Sequence, residues 1–258
     1  MTKKAKSLTP SELLAPVAPQ AHKYSRGCVG VWAGSPEFPG AAVLATGGAR
    51  RGGAGYITYF DHTDCATQLV LHAYPDVVPI RKITSVTSDR IDAWVVGCGA
   101  PNIKRLPESR YLVLDGSALS RARESRAAFT VLTPHEGEAL ALGFALDERV
   151  DNAGAIAAEY NAICVLKGPG TIIASPEGTY LIDEVGGPEL ATAGSGDILA
   201  GLIASMLASW QPTNLDEAME VVSYAVRAHS LAGKAAAKKR NPVVATDILE
   251  FLPQVLSE

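Results

Sequence analysis

Short, wholly apolar runs alternate with helix-like stretches along most of this chain. Cys28-Val29-Gly30-Val31-Trp32-Ala33 ends at Gly34-Ser35. Ala93-Trp94-Val95-Val96-Gly97, Tyr111-Leu112-Val113-Leu114-Asp115, Thr130-Val131-Leu132-Thr133 and Ala162-Ile163-Cys164-Val165-Leu166-Lys167 repeat the form. Each lacks a polar face and breaks into a Gly, Asp or Pro turn, as parallel strands covered on both sides do. Tyr56-Ile57-Thr58-Tyr59-Phe60, β-branched and aromatic, predicts a further strand. Pro39 suits the first turn of a helix supplied by Ala41 to Ala49. Thr171 to Ala174, the turn Pro176-Glu177-Gly178 and Thr179 to Ile182 predict a β-hairpin. The rest reads as helix: Ile198 to Ser209, Leu215 to about Lys238, and Thr246 to about Leu252. Thr246 is the expected cap of the last, and Pro253 its expected end. Residues 1–21, with Pro10, Pro16 and Pro19, predict an extended arm with one short helix near Ser11 to Leu14.

The alternation predicts one α/β domain over residues 1–258, with a mostly parallel sheet and a C-terminal helical segment. Ligands of such sheets sit beyond the carboxyl ends of the strands. Gly34-Ser35, Gly97-Cys98-Gly99, Asp115-Gly116, Thr133-Pro134-His135 and Lys167-Gly168 should therefore converge on one rim. At 258 residues and 47% hydrophobic the chain can fill a sizeable core. A formal charge of −4 gives no support for a nucleic-acid partner. Arg50-Arg51 and Lys238-Lys239-Arg240 read as solvated helix ends. No stretch approaches the roughly 18 unbroken apolar residues of a membrane span. Cys28, Cys65, Cys98 and Cys164 have no metal-ligand spacing, and a reducing cytosol fits their use. The expectation is a soluble, cytoplasmic protein with no protein-held metal set.

Chemistry concentrates in Ala191-Thr192-Ala193-Gly194-Ser195-Gly196-Asp197. Glycines let the backbone turn and approach a ligand, and the free N–H groups of the helix start hold an anion. An ionised Asp197 there can take a proton from a substrate hydroxyl, or serve as an ordinary helix cap. Lys167-Gly168-Pro169-Gly170-Thr171 offers a cation, backbone N–H groups and a hydroxyl to phosphate or ribose oxygens, although tight hairpins use the same residues. It is not a P-loop, because the lysine precedes the glycines and no helix follows. His135 can bond a polar ligand or cap a helix, and Thr133 and Glu136 have capping-box spacing. His229 is assigned packing only. Gly97-Cys98-Gly99 fails the dinucleotide fingerprint, and no G-x-S-x-G elbow exists for a serine hydrolase.

Taken together these segments resemble the ADP/ATP-dependent NAD(P)H-hydrate dehydratase family, a ribokinase-like branch. The likeness spans roughly His22 to Leu252. It also takes in Ala33-Gly34-Ser35, Phe38-Pro39-Gly40-Ala41-Ala42, Arg51-Gly52-Gly53-Ala54-Gly55, Thr133 to Glu138 and His229 to Gly233. The resemblance implies a three-layer α/β/α fold and repair of hydrated NADH or NADPH with ADP or ATP and Mg²⁺. It implies that Lys167, Gly168, Pro169, Gly170, Thr171, Gly194, Ser195 and Gly196 hold the nucleotide. Ala41, Gly99, His135 and Asp197 would contact the hydrated dinucleotide, with Asp197 as base. A symmetric homo-oligomer, such as a tetramer, is implied as well. The chain departs from the family pattern at Cys98, Gly116-Ser117, Glu136, Gly187-Pro188-Glu189 and Ala193. A ribokinase-like kinase of a small alcohol, such as a hydroxyethylthiazole, and a non-catalytic nucleotide-binding protein are the alternatives.

Overall fold

The computed structural model describes residues 9–61, 63, 65–84, 90–144 and 148–257; the first eight residues of the expected arm lie outside these. The apolar runs form β1 (Cys28–Trp32), β2 (Tyr56–Phe60), β3 (Val78–Ile80), β4 (Ala93–Val96), β5 (Tyr111–Leu114), β6 (Phe129–Leu132), β7 (Ile163–Leu166), β8 (Thr171–Ala174) and β9 (Tyr180–Asp183). The helices are α1 (Pro39–Ala49), α2 (Thr67–Ala73), α3 (Glu136–Ala141), α4 (Arg149–Tyr160), α5 (Ser195–Trp210), α6 (Leu215–Ala237) and α7 (Ala245–Val255). Short 3₁₀ segments cover Pro10–Leu13, Gly116–Glu124 and Pro188–Leu190.

All nine strands join one sheet in the order β3-β2-β1-β4-β5-β6-β7-β8-β9. The pairs from β3 to β7 are parallel, and β8 and β9 close the edge antiparallel, as the hairpin pattern required. Period-two geometry divides each central strand between two cores. On β5, Tyr111 and Val113 pack with α1, α5, α6 and α7, whereas Leu112 and Leu114 pack with α4 and the 116–124 segment. Both faces are thus dry, which explains why the strand sequences never alternate with polar residues. The strand order reverses between β1 and β4, so their following loops separate and open a crevice at the carboxyl edge. Among the described residues no helix is long and apolar enough to cross a membrane.

One helix pair positions the functional end. α1 lies against α5 so closely that a Cβ on Gly201 would stand 2.0 Å from the Ala45 carbonyl oxygen, and one on Gly48 would stand 2.1 Å from that of Ile198. Glycines on facing helices bring the two backbones together and fix where α5 begins.

The last helix differs from expectation at both ends. It starts at Ala245 after Val244, and Asp247 caps it by accepting the Val244 N–H at 2.9 Å. Pro253 lies inside the final turn rather than ending it. Proline removes only its own donor there, and Leu256 N–H still bonds the Leu252 carbonyl at 3.0 Å. The basic clusters are helix ends as expected: Arg50 caps α1 and pairs with Asp76 at 2.8 Å, and Lys238 caps α6.

Gly201→Ala is expected to cost about 1–3 kcal/mol by overpacking the α1–α5 contact. Urea unfolding would show a lower midpoint at unchanged slope. Gly40→Ala, where a Cβ meets nothing within 4 Å, should leave the midpoint unlowered.

Candidate active site

Loops at the carboxyl edge surround a cavity of about 1110 Å³. Its lining includes all twelve residues singled out above: Ala41, Gly99, His135, Lys167, Gly168, Pro169, Gly170, Thr171, Gly194, Ser195, Gly196 and Asp197. Of the expected rim, Gly97, Gly99, Asp115, Gly116, His135, Lys167 and Gly168 face it. Ser35 does not line it; its Oγ accepts the Phe38 N–H at 3.2 Å and shapes the entry to α1. Phe38 and Ala41 then form one wall with Gly99, where a Cβ would stand 2.6 Å from Ala41 Cβ. Gly97, at φ +113°, has the Asp115 carbonyl oxygen where a Cβ would go, at 1.9 Å. Only glycine permits that approach.

The floor is built on a buried ion pair. Lys167 Nζ donates to Asp115 Oδ1 at 2.8 Å, and Thr133 Oγ1 donates to the same oxygen at 2.6 Å. The Cys98 thiol stands 3.5 Å from Oδ2. Burial alone would favour neutral Asp115, but Lys167, Thr133 and Cys98 outweigh it and hold the carboxyl below its usual range. Burial likewise opposes a charged Lys167, and Asp115 with Glu138 more than compensates. Glu138 Oε2 lies 3.7 Å from Nζ.

Asp197 stands on the first turn of α5, which begins after Gly194 at φ +89°. Ile198 is the first residue of this helix whose N–H returns to a carbonyl four residues back, that of Gly194. Of the amides before it, Ser195 N–H is bonded to the Thr192 carbonyl at 3.2 Å, which leaves those of Gly196 and Asp197 at the helix start where the sequence suggested an anion cradle. Burial, followed by the charge of Asp115, pushes the Asp197 carboxyl up to about 7, against the opposing pull of Lys167 and Cys98. Cradle and lysine-led hairpin meet: a Cβ on Gly196 would lie 3.1 Å from Lys167 Nζ. Lys167 therefore reaches beneath the start of α5 and pairs with Asp115, rather than standing free over the hairpin.

The hairpin turn is held from behind by Arg149, at the start of α4. Its guanidinium donates to the carbonyls of Lys167 at 3.3 Å, Gly170 at 3.2 Å and also Pro169, while its Nε pairs with Glu136 at 3.0 Å. Gly168 and Gly170 both take positive φ, so the turn needs both glycines. His135 is the N-cap of α3: its Nδ1 accepts the Glu138 N–H at 3.1 Å, and Glu138 returns to the His135 N–H at 2.8 Å. The capping box thus runs from His135 to Glu138, not from Thr133 to Glu136, because Thr133 is committed to Asp115. His229, expected only to pack, lines the cavity, and its Nε2 lies 3.1 Å from Ser195 Oγ. Burial pushes this imidazole down to about 4, so it is neutral at physiological pH.

Cys98, Asp115 and Asp197 place their side-chain ligand atoms within 4.8 Å of one another, the one such group among the described residues. Burial, Asp115 and Asp197 keep the thiol protonated. With Asp115 already bonded to three donors, this is a poor cage for a hard cation. Chemically, the arrangement supplies an anion cradle, a fixed cation and a carboxylate that accepts protons near neutrality.

The folded protein holds the Asp197 proton more tightly than an unfolded chain does, so ionising this group costs stability. The penalty is absent below the ordinary value of 3.8, grows up to about 7 and is constant above. Asp197→Asn should raise Tm above neutrality, by roughly 2–4 °C for each kcal/mol of that penalty it removes in a chain of this size. Calorimetry across pH should show the gain vanishing toward pH 4.

The family model described as NAD(P)H-hydrate dehydratase matches residues 29–254. An ADP-dependent (S)-NAD(P)H-hydrate dehydratase of Xanthomonas campestris is 32% identical over 93% of this chain and 91% of its own. A bifunctional NAD(P)H-hydrate repair enzyme of Mycobacterium tuberculosis is 36% identical over 76% of this chain; the match spans only 44% of that longer relative. A Bacillus subtilis ADP/ATP-dependent NAD(P)H-hydrate dehydratase, crystallised with ATP and Mg²⁺, superposes with a TM-score of 0.82 at 27% identity. That superposition covers 96% of this chain and 95% of the other. The fold is ribokinase-like, as expected from the sequence.

Proposed function

The chain belongs to the NAD(P)H-hydrate dehydratase family, and from that premise we propose that it repairs NADH or NADPH that has gained water across a nicotinamide double bond, consuming ADP. One observation carries the reading to this chain's own residues. A carboxylate with a proton affinity near neutrality shares a cavity with an anion cradle and a lysine-led hairpin.

In this reading Lys167 to Thr171 and Gly194 to Gly196 hold the nucleotide, while Ala41, Gly99 and His135 border the hydrated ring. Asp197 takes the proton of the ring hydroxyl as its oxygen attacks the terminal phosphorus of ADP. The bond to the bridging oxygen breaks and AMP leaves. Phosphate then departs with the adjacent ring proton, restoring the double bond, so hydrate and ADP become NAD(P)H, AMP and phosphate. Phosphorylation is needed because hydroxide is a poor leaving group. The α5 amides and Lys167 would stabilise charge on the moving phosphoryl group. Asp197 suits the base role because a group that titrates near working pH is ionised often enough and still binds a proton well. Among the described residues the group Cys98, Asp115 and Asp197 suits the family's expected Mg²⁺ poorly, because Asp115 is already bonded to three donors. An ion bound to the nucleotide's own phosphates would neutralise part of their charge. An alcohol kinase would use the same base and cradle but leave phosphate on its product; family membership turns against it.

Hydrated NADH supplied with ADP should regain the absorbance of the reduced nicotinamide, with AMP and phosphate formed in equal amounts. No recovery with ADP or ATP, beside a stable phosphorylated alcohol, would overturn the reading. Asp197→Asn should lower kcat by about 10²–10⁴. Because the base must be ionised, kcat/KM should fall as pH drops through about 7. A profile flat across that range would remove Asp197 from the role.

A further inference from the structure

Three side chains from separate segments meet beside the cavity: the acids Asp115 and Asp197 line it, and the buried Cys98 lies next to both. Asp115 is held ionised by Lys167 and Thr133 through one oxygen. Its other oxygen faces the thiol of Cys98. The sulfur and one carboxylate oxygen each from Asp115 and Asp197 lie within 4.8 Å of one another. Cys98 is only 1% exposed, so bulk water does not reach between the acids on its side. Its S–H is a single proton, and it is the one donor within this trio.

From this geometry we infer that Cys98 is the positioning residue of the base: its S–H, shared between Asp115 and Asp197, spaces the two carboxylates and sets the pH at which Asp197 becomes able to accept a proton. The inference rests on Asp197 being the base and deepens that reading. Like charges this close disfavour joint ionisation, and a donor between them relieves that repulsion. The other groups facing Asp197 are already accounted for. Asp115 reaches it from the end of β5, Lys167 from the end of β7 and Glu138 from α3. His229 on α6 is neutral and bonded to Ser195. Cys98 is the neutral member of the trio, so its removal takes away a donor beside Asp197 without changing charge. The thiol is not a nucleophile here, since burial and the two acids keep it protonated.

The test compares pH profiles of kcat/KM for wild type, Cys98→Ala and Cys98→Ser with hydrated NADH and ADP. The alanine variant, lacking a donor, should move the acid limb to higher pH by about one unit. The serine variant, which keeps a donor, should stay close to wild type. A purely structural role would lower kcat or Tm without moving the limb. The S–H stretching band provides a second measurement on the intact protein, isolated as the difference between wild type and Cys98→Ser. It should shift to lower frequency as Asp197 ionises, and Asp197→Asn should abolish that shift. An alanine limb coincident with wild type, or a band unchanged from about pH 5 to pH 9, would overturn the inference. Should wild type itself show no limb, the base reading fails, and the band still decides whether the thiol couples to Asp197.

Discussion

The buried pair between Asp115 and Lys167 is the constraint on which the site depends. It ties the end of β5 to the end of β7 across β6, whose Thr133 donates to the same carboxylate. Burying two charges is costly, and breaking one partner of such a pair is strongly destabilising. The return is geometric: three adjacent strand ends are locked into one register and the lysine is prevented from swinging into solvent. The same ionised Asp115 then acts on Asp197, whose proton affinity rises through burial first and this neighbouring charge second. A structural ion pair and a tuned base are consequences of one arrangement.

Backbone contacts deliver the other half of the site. α5 must present its first turn to the cavity, and its position is set by the glycine-mediated contact with α1, which starts at Ile198, the residue after Asp197. At the strand ends Gly97 and Gly99 let the chain pass within van der Waals reach of Asp115 and Ala41. The crevice between the loops after β1 and β4 is the place where strand order reverses, and it widens there for topological reasons rather than through any particular side chain. Cradle, floor and crevice thus come from three different levels of the structure.

Much of this was legible along the chain. Runs such as Tyr111 to Leu114 are buried on both faces, so their composition alone marks them as parallel strands, and the glycine-rich turns after them mark the rim. β3, α2 and α4 were missed for the opposite reason. Val78–Ile80 is short and interrupted by Pro79, and Arg149–Tyr160 buries only small residues and one isoleucine, a weak apolar stripe. Within the site, residues on glycine-rich turns could be found by spacing. Partnerships could not: Lys167 and Asp115 are 52 residues apart, and Ser195 and His229 are 34 apart. Arg149 carried no signal, since its role is to bind carbonyls of a turn 18 to 21 residues downstream. The expectation that Thr133 opens the capping box failed because a buried carboxylate competed for the same hydroxyl.

What separates the two acids is the number of donors each receives, not their residue type. Asp115 has an ammonium, a hydroxyl and a thiol, and stays charged although it is the more deeply buried of the two. Asp197 has a share of one thiol and a lysine already engaged elsewhere, so desolvation prevails and its proton affinity climbs to near neutrality. Neighbouring titratable groups whose environments drive their proton affinities apart are the usual mark of divided labour in a site. Here the donor-rich acid is fixed as a permanent anion that anchors Lys167, and the donor-poor acid is left free to exchange a proton. A third donor aimed at Asp197 would make the site more stable and its base weaker, which is a physical reason for the cavity to offer that carboxylate so few partners.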